Sequence, residues 1–243
     1  MFCIILLMIF YAIGIGPGEP ELMTLQAFHR LEKCPVIFCP QTKNGDSVAL
    51  SILNGAGLDL SRKTIIKTKT PMIRDEARLS ENYAEIAAQC AEFLRAGSDV
   101  AFITLGDVSF YSTAAHIAKK VGELGFSVEF CAGITSISAV AAKISMNLAE
   151  RDEEIVIIPA DSAVKNGILR AELSHSGTKI LMKLAASYRT VIETLFEMDI
   201  AKNSVLFQNC GLSGERILHL KDFSASSEEL YESQSYFSLV IIK

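Results

Sequence analysis

Two hydrophobic periods alternate along the chain. Short apolar runs bounded by glycine, proline or charge predict strands buried on both faces, and stretches with apolar residues three and four apart predict helices. Strands are expected at about Ile5 to Ile15, Val36 to Cys39, Thr64 to Thr68, Asp99 to Leu105 and Val128 to Cys131. Between them, one helix is expected to begin at Pro20 and carry the apolar stripe Leu22, Leu25, Phe28 and Leu31. Others are expected over Ser47 to Asn54, Ser80 to Ala96 and Thr113 to Leu124, the last two closed by Gly97 and Gly125. The pattern goes on with a helix ending near Met146, a strand Glu154 to Pro159, a helix Ala163 to Leu173, a strand Lys179 to Leu184 and a helix Tyr188 to Met198. It ends in clustered strand signals at Ser204 to Gln208, Arg216 to Leu220 and Tyr236 to Lys243. The expected class is α/β, with a mostly parallel N-terminal sheet and a mixed C-terminal sheet. The boundary is placed between Phe110 and Leu124, giving domains 1–115 and 116–243 with no flexible linker.

Composition narrows the class. The 243 residues suffice for two domains of about 120 each, and half of them are hydrophobic against 21% charged, so a sizeable core is affordable and disorder is not expected. The net charge of −5 disfavours non-specific nucleic-acid binding. The six cysteines form no CxxC pair and sit mostly in apolar runs, as free thiols of a reducing cytoplasm do. The four histidines are scattered without ligand spacing, so no protein-held metal is expected. The apolar start, MFCIILLMIFYAIGIG, is about 13 residues of continuous hydrophobicity, too short to span a bilayer, and it lacks a basic leader; a buried central strand is expected instead of a membrane segment.

Chemistry concentrates at three turns that follow predicted strands. Gly14-Ile15-Gly16-Pro17-Gly18-Glu19-Pro20 follows the first, Leu105-Gly106-Asp107-Val108-Ser109-Phe110-Tyr111 follows the fourth, and Ala132-Gly133-Ile134-Thr135-Ser136 follows the fifth. In open α/β sheets, ligands bind beyond the carboxyl ends of parallel strands. A glycine followed by a carboxylate there lets a ligand approach the backbone beside one fixed charge; read locally, Asp107 also suits a simple capping turn, and Thr135 and Ser136 suit helix N-caps. The first loop is not the dinucleotide fingerprint: it lacks the G-x-G-x-x-G spacing, and Ile37-Phe38-Cys39-Pro40 stands where an acidic residue would be needed.

Together the three motifs resemble the tetrapyrrole methylase family, the class III S-adenosylmethionine (SAM) methyltransferases, over essentially the whole chain. The resemblance implies two α/β domains with the active site in the cleft between them. It implies SAM contacts from Pro17, Leu105, Gly106, Asp107, Phe110, Thr135, Ser136 and Met182, with a further contact region in the turn Asn209-Cys210-Gly211-Leu212. Val108 and Ala132 stand where the family usually has proline. Within the family, the segments Val36 to Pro40, Ser47 to Ala49, Thr70 to Asp75, Tyr111 to Thr113, Ile157 to Ala160 and Leu181 to Lys183 resemble those of members that methylate C20 of precorrin-2 or of cobalt-factor II. The implied activity is therefore SAM-dependent C-methylation in corrin biosynthesis. The alternatives are another class III substrate (a different precorrin position, rRNA ribose or an elongation-factor diphthine) and a non-catalytic SAM-binding module.

A tetrapyrrole substrate carries several carboxylates, and an acidic protein must meet them with local positive charge. Arg62, Lys63, Lys67, Lys69, Arg74 and Arg78 against Asp75 and Glu76 give residues 62–78 a charge of +6 − 2 = +4. Arg74, Lys69 and Lys43 are the candidate substrate contacts, since arginine and lysine pair with carboxylates; a solvated strand-and-loop face is the competing reading. Tyr111, just past the Gly-Asp turn, is the one candidate catalytic residue, with aromatic packing as its alternative. The resemblance and a mean hydropathy of +0.31 lead us to expect a cytoplasmic homodimer.

Overall fold

The computed structural model describes residues 8–41, 45, 47–71, 75–232 and 234–243. It divides into two units, 1–136 and 137–243.

The first unit holds strands β1 (Ile9–Gly14), β2 (Val36–Pro40), β3 (Thr64–Thr68), β4 (Val100–Thr104) and β5 (Ser127–Cys131), and helices α1 (Leu25–Lys33), α2 (Val48–Gly55), α3 (Glu76–Arg95) and α4 (Thr113–Glu123). All five strands are parallel, in the order β3-β2-β4-β1-β5. The two-residue period assigns each strand residue to a face. Phe10, Ala12, Phe38, Val100 and Phe102 pack against Ile86, Cys90 and Leu94 of α3 and Ile117 and Val121 of α4. Tyr11, Ile13, Ile37, Cys39, Ala101 and Ile103 pack against Ala27 and Leu31 of α1 and Ile52 and Leu53 of α2. Helices on both faces explain why these strands read as continuous hydrophobic runs.

Several expectations shift. The helix expected from Pro20 is two pieces: a 3₁₀ turn over Pro20–Leu22, then α1, capped by Thr24, whose hydroxyl accepts the Ala27 N–H at 3.1 Å. The break turns Leu25 out of the core, to 75% exposure. Helix α3 starts earlier than expected because Asp75 caps it, accepting the Arg78 N–H at 3.1 Å. The first unit also runs past residue 115 to Ser136, because β5 adds directly to β1 and α4 covers the same sheet. The expected start of the first strand, at Ile5, lies outside the described residues.

The second unit contains α5 (Ser136–Lys143, whose first residue closes the first unit), β6 (Ile155–Pro159), α6 (Ala160–Lys165), α7 (Leu169–Leu173), β7 (Thr178–Met182), α8 (Tyr188–Glu197), β8 (Ser204–Gln208), β9 (Arg216–His219), α9 (Glu229–Glu232) and β10 (Ser238–Ile242). Its sheet order is β6-β7-β10-β8-β9. Strands β6 and β7 are parallel; β10 runs antiparallel to β7 and β8, and β9 antiparallel to β8. The sheet is mixed, as expected. The single helix expected over Ala163 to Leu173 is broken at Gly167, whose φ of +70° lies in the left-handed region that ends a helix.

Candidate functional site

The sheet order of the first unit creates a switch point. The chain leaves β1 toward α1 on one face and leaves its neighbour β4 toward α4 on the other. Loops that diverge to opposite faces open a crevice at the carboxyl ends of the two strands, the usual ligand position in open α/β sheets.

Backbone meets backbone in that crevice. Gly16 and Gly106 exchange N–H···O bonds of 2.8 and 3.3 Å, and Ile15 N–H bonds Thr104 O at 3.0 Å. The loop after β5 joins them through Gly133. A Cβ on Gly133 would lie 2.1 Å from Gly106 O, and one on Gly14 would lie 2.6 Å from the same oxygen. No side chain fits between loops this close, which is why these positions carry glycine. Gly106 itself has φ +69°, a conformation an L side chain rarely adopts.

Asp107 locks the junction. One carboxylate oxygen accepts the Gly133 N–H at 2.7 Å; the other accepts the Ser109 N–H at 2.8 Å and the Ser109 hydroxyl. Burial raises its pKa, but the bonds from Ser109 and Gly133 outweigh it and hold the carboxyl below the usual 3.8. From the other side, the Thr24 hydroxyl donates to Ala132 O at 3.2 Å. Beneath the turn, Ser112 Oγ donates to Thr104 Oγ1 at 3.2 Å while capping α4. Val108, where the family usually has proline, is 1% exposed and fills the α3–α4 side of the core, so its apolar bulk still seats the turn.

The structure thus brings Gly106, Asp107 and the strand ends before Pro17 and Thr135 into one hydrogen-bonded frame. Pro17 is buried; Leu105 is half-buried against the α1–α2 side of the core; Thr135 and Ser136 are half-buried at the start of α5. Phe110 and Tyr111 project as exposed rings, edge to face with centroids 6.2 Å apart. Tyr111 has φ +50°, unusual for an aromatic residue.

The basic segment is split by the strand it runs along. Arg62 and Lys63 precede β3, and the Lys63 ammonium donates to the carbonyls of Glu32 and Cys34 at 2.9 Å each, so they mark the sheet's opposite edge. The strand's rise, about 3.3 Å per residue, keeps them from Lys67, Lys69 and Arg78, which lie at or beyond its carboxyl end. Lys67 donates to Gly45 O at 2.9 Å, Lys69 is exposed, and Arg78 pairs loosely with Asp75 at 3.8 Å. Lys43, Met72 and Arg74 lie outside the described residues.

In the second unit, β6, β7 and β8 share one direction, so Pro159, Met182 and the Asn209 turn end at one sheet edge, where antiparallel β10 begins. Met182 is half-buried there. Two carboxylates missed by sequence reasoning hold this edge. Asp161 accepts the N–H groups of Ser187 at 2.9 Å and Ala186 at 3.3 Å. Glu215 accepts the Gly211 N–H and pairs with Lys143 at 2.9 Å. Burial raises the Glu215 pKa, but the Gly211 amide and Lys143 bring it below the ordinary carboxylate value. Thr24 was also missed, although threonine just before an apolar periodic run is an N-cap signal.

A parallel α/β unit with a glycine junction at its switch point, followed by a mixed-sheet unit, defines a class of methylase: the chain belongs to the tetrapyrrole (corrin/porphyrin) methylases, whose family model matches residues 10–222. Among its relatives, the probable cobalt-precorrin-2 C(20)-methyltransferase of Methanocaldococcus jannaschii is 38% identical over 150 residues, 61% of this chain and 63% of that one, so the match spans less than two thirds of that relative. The cobalt-precorrin-2 C(20)-methyltransferase of Salmonella typhimurium is 30% identical over 208 residues, 85% of either chain. In fold, the chain is similar to the uroporphyrin-III C-methyl transferase of Thermus thermophilus complexed with S-adenosyl homocysteine, at TM-score 0.60 and 17% identity over 96% of both chains.

Proposed function

We propose that this protein transfers a methyl group from SAM to C20 of precorrin-2 or its cobalt-loaded counterpart in corrin biosynthesis. The observation that carries this reading is the three-loop glycine junction at the switch point, in a chain whose relatives are named for that reaction. The junction suits SAM because the mutually bonded backbones of the three loops fix the strand ends where open α/β sheets take their ligands. Pro17, Leu105, Gly106, Phe110, Thr135 and Ser136 of the first unit would frame it.

When bound, SAM supplies an activated methyl on a sulfonium, which leaves as a neutral thioether. The protein's own work is then positional. The frame would hold SAM so that its methyl faces an electron-rich meso carbon, with Pro17 and Leu105 as apolar surface beside it. Lys67, Lys69 and Arg78 supply local positive charge for the substrate carboxylates, joined in our reading by Lys43 and Arg74. Tyr111 is the one candidate catalytic group, by its place just past the Gly-Asp turn. A left-handed aromatic residue costs of order 1 kcal/mol and persists where its surroundings over-determine it.

The test incubates the purified protein with SAM and, in parallel, precorrin-2 and cobalt-factor II. We expect one of the two macrocycles to gain a single methyl group at C20, with S-adenosyl homocysteine released in equal amount. No methyl gain on either, with SAM bound, would turn the reading to a different acceptor.

A further inference from the structure

Asp107 occupies the place in the Gly-Asp turn where a carboxylate would be expected to meet a ligand, yet both of its oxygens already accept hydrogen bonds from the protein. An ionised carboxylate offers about four lone-pair positions. Ser109 fills one oxygen with both its N–H and its hydroxyl, and the Gly133 N–H holds the other oxygen at 2.7 Å. All three donors come from the protein. The Gly133 bond spans 26 residues of sequence and ties the turn after β4 to the loop after β5, where a Cβ on Gly133 would lie 2.1 Å from Gly106 O. That loop, in turn, presents Ile134, Thr135 and Ser136.

From this bonding pattern we infer that the Asp107 carboxylate is a positioning group: it holds the 132–136 loop, through the Gly133 N–H, in the shape that receives SAM. The inference rests on the functional reading above. A carboxylate suits the task better than an amide, because every group facing it is a donor. In Asp107→Asn the new NH₂ would face Ser109 or Gly133 donor to donor, so at least one of the two anchors is lost.

The experiment joins two readouts on the whole protein. Hydrogen exchange on the ligand-free protein reads the loop directly, and steady-state kinetics with SAM and the tetrapyrrole read its consequence. For Asp107→Asn we expect faster exchange at amides 133–135 without SAM, a rise in the SAM KM of about tenfold, the value of one lost charge-assisted bond, and kcat at saturating SAM within about twofold of wild type. The tetrapyrrole KM should not move. Ser109→Ala, at an exposed position, removes one support of the same carboxylate and should show both effects in weaker form if Asp107→Asn does not fold. A raised SAM KM with unchanged exchange in the ligand-free protein would show direct contact and overturn the inference. Faster exchange with an unchanged SAM KM would make Asp107 a fold element alone and also overturn it. A wild type without SAM-dependent turnover would defeat the functional reading and the positioning role together. Exchange at 133–135 would still report the loop bond in that case, which separates the two failures.

Discussion

Gly133 and Asp107 carry the strongest single-residue expectations. Gly133→Ala places a methyl 2.1 Å from the Gly106 carbonyl oxygen, and that oxygen is backbone held in reciprocal bonds with Gly16, so it has no rotamer by which to yield. Overpacking of this kind costs about 3 kcal/mol, and urea unfolding of the variant should show a loss of that order. Asp107 has a depressed pKa in the folded state, so its contribution is fully present above the unfolded value of 3.8 and is lost as pH falls through the lower folded value. The stability difference between wild type and Asp107→Asn should therefore be constant from neutral pH down to about pH 5 and shrink below pH 4. Denaturation across that range measures it.

Helix α1 shows how an element is tied to the site by its cap. Thr24 accepts the Ala27 N–H and donates to Ala132 O, so a single hydroxyl starts the helix and latches the loop after β5. Thr24→Val keeps the shape and removes both bonds. It should cost about 1 kcal/mol for the cap and somewhat more for the unpaired carbonyl, whereas Thr24→Ser should be near neutral. Chemical denaturation of the pair separates the hydroxyl from the methyl. The edge loops of the second unit follow the same rule, with Asp161 and Glu215 in the place of the hydroxyl. At the end of β3, the described Arg78 pairs with Asp75.

For the whole molecule, the expectation concerns association. Among the described residues of the first unit, Leu25, Leu124 and Phe130 are 75%, 48% and 50% exposed, and Phe130 sits on the edge strand β5. A sheet edge that carries an exposed phenylalanine is a surface that soluble proteins commonly cover with another chain. We propose a homodimer, and light scattering at micromolar concentration should return twice the chain mass of 26.5 kDa. A monomer at that concentration would leave β5 an open edge. Among the described residues no helix is long and apolar enough to cross a membrane.

Much of this organisation was legible from local pattern. Strands such as Val36–Pro40 and Ser204–Gln208 fall where their apolar runs place them, because burial on both faces demands such runs whatever their neighbours. The three loop motifs were likewise visible, since a glycine needed for close approach leaves its mark at one position. What the sequence could not show was which strand lies beside which. Only the strand order that sets β4, β1 and β5 side by side puts Gly14, Gly106 and Gly133 in contact. Helix breaks at Thr24 and Gly167 were hidden because a hydroxyl cap and a left-handed glycine compete with an unbroken apolar stripe, and the surrounding packing decides between them. The partners of Asp107, Asp161 and Glu215 belong to the tertiary structure as well. A carboxylate's role is set by the donors that reach it, and two of these three meet amides more than twenty residues away.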